Sequence, residues 1–103
     1  MVLLDLLGRR MALRILWELS QASGPLTFRA LQAAADTNPS VLNGRLKELR
    51  DALVVEHVDG GYQLSGRGRA LLAMLLPLQA WAEQWAAQLA SDRHRSARAA
   101  RSS

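Results

Sequence analysis

The 103-residue chain contains no cysteine. That absence excludes disulfides, thiolate metal sites, thiol-based redox sensing and cysteine nucleophiles together. Histidine is almost as scarce. His57 and His94 stand far apart, without carboxylates at ligand spacing, which excludes a histidine-rich metal centre and a triad built on a local histidine motif. Long hydrophobic runs are missing too. The opening Val2-Leu3-Leu4 is broken by Asp5 and follows no basic region, unlike a signal peptide. The apolar-rich region from Ala70 to Ala90 is interrupted by Pro77, Gln79, Glu83, Gln84 and Gln88, unlike a bilayer span. The expected compartment is the cytoplasm, with no membrane partner. GxGxxG and Walker spacings are absent, Gly60-Gly61 and Gly66-x-Gly68 read as a hairpin tip and a helix start, and the carboxylates sit singly on polar faces. The expectation is a protein that is not an enzyme and takes no cofactor or metal.

What the chain does contain is one domain's worth of apolar residues, 50% of the total. Its basic residues are arginines apart from Lys47, and its formal charge of +4 is unevenly placed. Arg93, Arg95, Arg98 and Arg101 face only Asp92 in the last stretch, so the rest of the chain is nearly neutral. An anionic partner must therefore be argued from local arrangement, not from bulk charge.

From about Val2 to Ala22, Ala12, Ile15, Leu16 and Leu19 recur at i, i+3, i+4, i+7 opposite Arg10, Arg14, Glu18 and Gln21. That pattern predicts an amphipathic helix, with a kink near Gly8, ended by Ser23-Gly24-Pro25. Thr27 reads as the N-cap of a short helix carrying Phe28, Leu31 and Ala35 on one face. Asn38 reads as a second N-cap, with Pro39 at the first helical position, for a helix to about Ala52 whose apolar stripe is Leu42, Leu46, Leu49 and Leu53. Leu53–Val58 predicts a strand, Asp59-Gly60-Gly61 a tight turn, and Tyr62-Gln63-Leu64 the returning strand. Ser65 can cap a last helix to about Ala90, with Leu71, Leu75, Leu78, Ala82, Trp85 and Leu89 forming a heptad seam and Pro77 kinking or dividing it. The arginine, serine and alanine that follow have no apolar period and predict a disordered tail over residues 91–103. The fold class is mainly α with a small β-hairpin, a winged helix-turn-helix over residues 1–90.

Leu7–Leu16, Gly24–Leu31, Pro39–Leu49, Gly61–Gly68 and then Pro77, Leu78 and Trp81 together resemble the HxlR-type winged helix regulators of the MarR-like superfamily. The resemblance runs from about Leu3 to Trp85. It implies a homodimeric bacterial DNA-binding regulator whose N- and C-terminal helices pair across a two-fold axis. Three features depart from the family pattern. Met11 stands where tryptophan is usual, Leu53 where a glycine normally ends the recognition helix, and the short wing carries Asp59-Gly60-Gly61 in place of basic residues.

In that reading the Asn38–Leu53 segment turns its leucines inward and leaves Ser40, Asn43, Gly44, Lys47 and Asp51 outward, with Arg45 and Arg50 on the flanks. Amide and amine groups would meet base edges, and guanidiniums the phosphates. Thr27 and Arg29 at a helix start, and His57 on the hairpin, complete the expected DNA-facing set. Bland readings stand beside each. Lys47 and Asp51 have the spacing of an ion pair, Thr27 can serve as a cap alone, and Gly44 costs ~1 kcal/mol in an exposed helix whether or not a phosphate approaches it.

The dimer interface is expected at Leu3, Leu4, Leu7, Leu75, Leu78, Trp81, Trp85 and Leu89, since two leucine-rich terminal helices exceed what so small a core can cover. Trp17, Trp81 and Trp85 read first as core or dimer anchors, with an effector pocket as the alternative. The arginine tail reads as a solvated end or a non-specific phosphate contact. The function so implied is a sequence-specific regulator, a repressor acting as a homodimer on a pseudo-palindromic operator in double-stranded DNA, with an unknown small-molecule effector left open. The competing reading is a winged helix used for protein–protein assembly, favoured by the short wing without basic residues and the weak charge of the body.

Overall fold

The computed structural model describes residues 3–102. Val2, placed by the sequence at the start of the first helix, lies outside them, and so does the Arg101 side chain. The described chain runs α1 (Leu3–Leu7), α2 (Ala12–Gln21), α3 (Phe28–Ala35), α4 (Pro39–Asp51), β1 (Val55–Val58), β2 (Gly61–Leu64) and α5 (Gly66–Ser102). It forms two compact units, one up to Leu72 and one from Ala73 onward.

The first predicted helix is in fact two. Gly8 is a poor helix former, and Met11 takes a left-handed conformation with φ 71°. The chain turns at residues 8–11, closed by Arg9 N–H to the Leu6 carbonyl at 3.1 Å and Ala12 N–H to the Arg9 carbonyl at 3.2 Å. The predicted stripe of α2 holds: Ala12, Ile15, Leu16 and Leu19 are all buried. They form the core with Leu6 of α1, Leu31 and Ala35 of α3, and the inner face of α4.

Both predicted caps form. Thr27 Oγ1 accepts from Ala30 N–H at 3.1 Å, and Asn38 Oδ1 from Val41 N–H at 2.9 Å. The far end of α4 differs from expectation. Leu53 is not part of the buried stripe. It takes φ 65° and is 60% exposed. Leu53 N–H bonds the Arg50 carbonyl at 2.9 Å and Val54 N–H the Leu49 carbonyl at 3.1 Å, the two bonds of a Schellman ending. A leucine thus occupies the left-handed position that glycine normally fills, and β1 begins two residues later than predicted.

The hairpin pairs Val55 with Leu64 and His57 with Tyr62 across a two-residue Asp59-Gly60 turn. Leu26 adds a bridge that no periodicity announced, exchanging both backbone bonds with Tyr62 at 2.9 and 2.8 Å. Gly61 makes this possible. With φ 136°, it has no room for a Cβ, which would strike the Leu26 carbonyl.

Ser65 caps α5 as expected. Its Oγ accepts from Gly68 N–H at 3.0 Å and donates to the Leu53 carbonyl at 2.7 Å. The helix then differs in length. It is continuous through Pro77 and reaches Ser102, where an end near Ala90 and a disordered tail were expected. Alanine and arginine dominate Ala86–Ala100, and both have high intrinsic helix propensity. An Asp92–Arg95 pair at 3.9 Å adds a little.

Candidate nucleic-acid interface

Helix α4 is two-faced. Leu42, Leu46 and Leu49 are 0–2% exposed. On the opposite side Ser40, Asn43, Lys47 and Asp51 are exposed, with Gly44 half-buried between them and Arg50 exposed on the flank. The Asn38 cap and Pro39 start this helix at a defined residue, so the polar ridge has a fixed rotation about the leucine stripe. Among the described residues, Lys47 and Asp51 form no ion pair. A Cβ on Gly44 would meet nothing within 4 Å, so the fold itself does not require glycine there.

Arg45 is placed differently from a free phosphate-seeking side chain. Its Nε donates to the Arg10 carbonyl at 3.1 Å, and its Nη1 pairs with Glu48 Oε1. The side chain is only 19% exposed. Glu48 meets Arg9 on its other oxygen, with Arg9 Nε 3.1 Å from Oε2. Glu48, Arg9 and Arg10 are not among the expected DNA-facing residues. The i, i+3 spacing of Arg45 and Glu48 was a usable signal, but nothing local links either to residues 9 and 10.

The remaining expected contacts are scattered around this helix. Arg29 is exposed in the first turn of α3, while Thr27 Oγ1 is committed to its cap. On the wing, the exposed His57 stacks on Tyr62, with ring centroids 4.5 Å apart and planes 18° from parallel. Glu56 and Gln63 bond at 2.7 Å. Residues 55–64 include no lysine or arginine, so the wing offers an aromatic edge in place of a cationic one.

The leucines and tryptophans expected at a dimer interface are largely uncovered. Leu3, Leu4, Leu78, Trp81 and Trp85 are exposed, and Leu7, Leu75 and Leu89 half-buried. Trp81 and Trp85 stack on each other at 5.9 Å. A cleft of about 460 Å³ lies between α1 and the end of α4, lined by Leu3, Leu6, Glu48, Asp51 and Ala52, with no tryptophan in its walls. Among the described residues, no group of three or more potential ligands could hold a metal, and no helix is long and apolar enough to cross a membrane.

A model of HxlR-like helix-turn-helix proteins matches residues 6–90. The chain is similar to the structure of a possible HxlR family transcriptional factor from Thermoplasma volcanium, with TM-score 0.73 and 25% identity over 81% of this chain and 80% of that one. It is similar to quinone-bound YodB from B. subtilis, with TM-score 0.70 and 34% identity over 78% and 90% of the two chains. It shares its fold with the M. tuberculosis transcriptional regulator MOSR, solved in complex with DNA, with TM-score 0.68 and 23% identity over 78% and 65%. No curated protein matches by sequence.

Proposed function

Because this chain belongs to the HxlR-like helix-turn-helix family, we propose that it is a sequence-specific DNA-binding regulator that represses transcription by occluding promoter DNA. The observation that carries this reading is the division of α4 into a leucine face that is 0–2% exposed and an open ridge of Ser40, Asn43 and Lys47. Side chains of that kind on one helix suit a major groove. Asn43 can bond adenine at two points, and Lys47 can reach the acceptors of guanine. Arg50 and Arg29 are exposed beside them and suit phosphates.

The protein works as a homodimer in this proposal. Exposed Leu3 and Leu4 in one unit, and separately Leu78, Trp81 and Trp85 in the other, are apolar groups that a second copy would cover. Two reading helices set about 34 Å apart would meet successive major grooves, so the operator is a pseudo-palindrome. The arginines after Ser91 add a non-specific phosphate contact, and the protein acts in a bacterial cytoplasm. With no cysteine, any effector it answers binds without a thiol bond.

A second reading, a winged helix used for protein assembly, is favoured by the wing, whose tip is Asp59-Gly60 and which lacks basic residues. Duplexes selected from random sequence by the purified protein, followed by titration at rising salt, separate the two. Enrichment of a two-fold sequence supports the regulator. Failure to enrich any sequence removes it in favour of assembly.

A further inference from the structure

We infer that Glu48 is a positioning residue, and that with Arg9 and Arg45 it forms a brace holding the reading helix α4 against the turn between α1 and α2. The inference rests on the reading of α4 as the DNA-facing helix. One carboxylate serves two guanidiniums, with Oε1 on Arg45 and Oε2 on Arg9 at 3.1 Å. Oε2 is closed off from water and accepts no hydrogen bond from the described residues, so the half-exposed Arg9 meets it as an ion pair only. Arg45 and Glu48, 19% and 22% exposed, are hydrogen-bonded to each other. Arg45 also bonds the Arg10 carbonyl, spanning 35 residues of sequence.

The turn it grips is unusual. Met11 is left-handed there, and α1 ahead of it is only five residues long. So short a helix does not hold its position by its own hydrogen bonds. Leu6 is its one buried anchor, and the ion cluster is a second tie on the same turn. Two consequences follow. Arg45 is spent within the fold and neutralises no phosphate. The pose of α1, whose exposed Leu3 and Leu4 suit a second copy, is transmitted to α4 through Glu48.

The test uses the full chain with Arg9→Ala, Arg45→Ala, Arg45→Lys and Glu48→Gln, each checked by circular dichroism, in two measurements. Amide hydrogen exchange on free protein reads the brace without DNA. Exchange at residues 8–12 and in the last turns of α4 should rise about three- to tenfold in Arg45→Ala and Glu48→Gln, and Arg9→Ala should add little to Glu48→Gln. Unchanged exchange in those variants overturns the brace. The second measurement is affinity for the selected duplex as a function of salt. Arg45→Ala should weaken binding severalfold with the salt slope unchanged, whereas loss of a phosphate contact lowers the slope by about 0.9. A lowered slope overturns the inference. If the wild-type chain enriches no duplex, the regulator reading falls, while exchange alone still decides whether Glu48 holds the turn.

Discussion

Two glycines on helices offer a matched experiment in which one chemical change has opposite signs. Gly44 lies in the middle of α4, where an added Cβ meets nothing within 4 Å. Gly68 lies in the first turn of α5, where the same Cβ would overlap the Val54 carbonyl, itself an acceptor for Ser65 N–H at 3.1 Å. Helix propensity alone favours alanine over glycine by about 0.5–1 kcal/mol at both positions. At Gly44 nothing opposes that gain. At Gly68 the methyl must push a backbone carbonyl or tilt α5. Overpacking of that kind costs ~1–3 kcal/mol even against side chains, so a net loss of about 2 kcal/mol is the expectation.

The two variants should therefore differ by about 3 kcal/mol. With a urea m-value near 1.5 kcal/mol/M, their midpoints should lie about 2 M apart on either side of wild type. Urea unfolding followed by circular dichroism at one fixed protein concentration measures this, since self-association would otherwise shift the midpoints. Stabilisation by both substitutions, or destabilisation by both, would refute the reasoning. The Gly44→Ala protein carries a second question. If the glycine is tolerated because a duplex approaches closely, the stabilised variant should bind the selected duplex about tenfold more weakly. Equal affinity would leave Gly44 with no contact role.

Lys47→Ala should lower affinity for the selected duplex at least fivefold and relax discrimination at one base position, as expected for loss of a base contact worth about 1–3 kcal/mol; an unchanged selection profile would contradict the reading face. Asn38→Ala should cost ~1 kcal/mol of unfolding free energy by removing the oxygen that bonds Val41 N–H. A measured change near zero would mean the cap is not needed to start α4. Trp85→Ala should weaken self-association by about thirtyfold or more if the exposed Trp81–Trp85 stack is a dimer anchor, read by sedimentation velocity across concentrations. A wild-type chain that sediments as a monomer at micromolar concentration would sink the homodimer.

The features legible in the sequence share a short range. Thr27, Asn38 and Ser65 each cap a helix by reaching three residues ahead, and the buried stripes of α2 and α4 repeat within one or two turns. Three features were not fully legible, for separate reasons. The Leu26–Tyr62 bridge joins single residues 36 positions apart and leaves no periodic trace. The break at residues 8–11 was legible only as a kink near Gly8, because the full separation into two helices depends on Met11 adopting a conformation that methionine seldom takes. The length of α5 does not follow from periodicity, because loss of apolar period is not loss of helix. Periodicity reports a packing face, whereas residues 91–100, rich in alanine and arginine, have helical propensity without an apolar period.

The reading face divides along the same line. Which residues of α4 point outward follows from 3.6 residues per turn, and Ser40, Asn43 and Lys47 are exposed as that geometry requires. What an outward or flanking cation does there does not follow. Arg45 and Arg50 are one helix's two flanking arginines, and rotation about the axis makes both candidates for phosphate. Of the two, and among the described residues, only Arg45 bonds an acceptor from another part of the fold. The Arg10 carbonyl exists at that place because the chain turns at residues 8–11, and Glu48 is held there by Arg9 from the same turn. The same local break thus gives Arg45 its acceptor within the fold, while Arg50 is left exposed. A charge count along a helix becomes a count of phosphate contacts only after the long-range acceptors have taken their share.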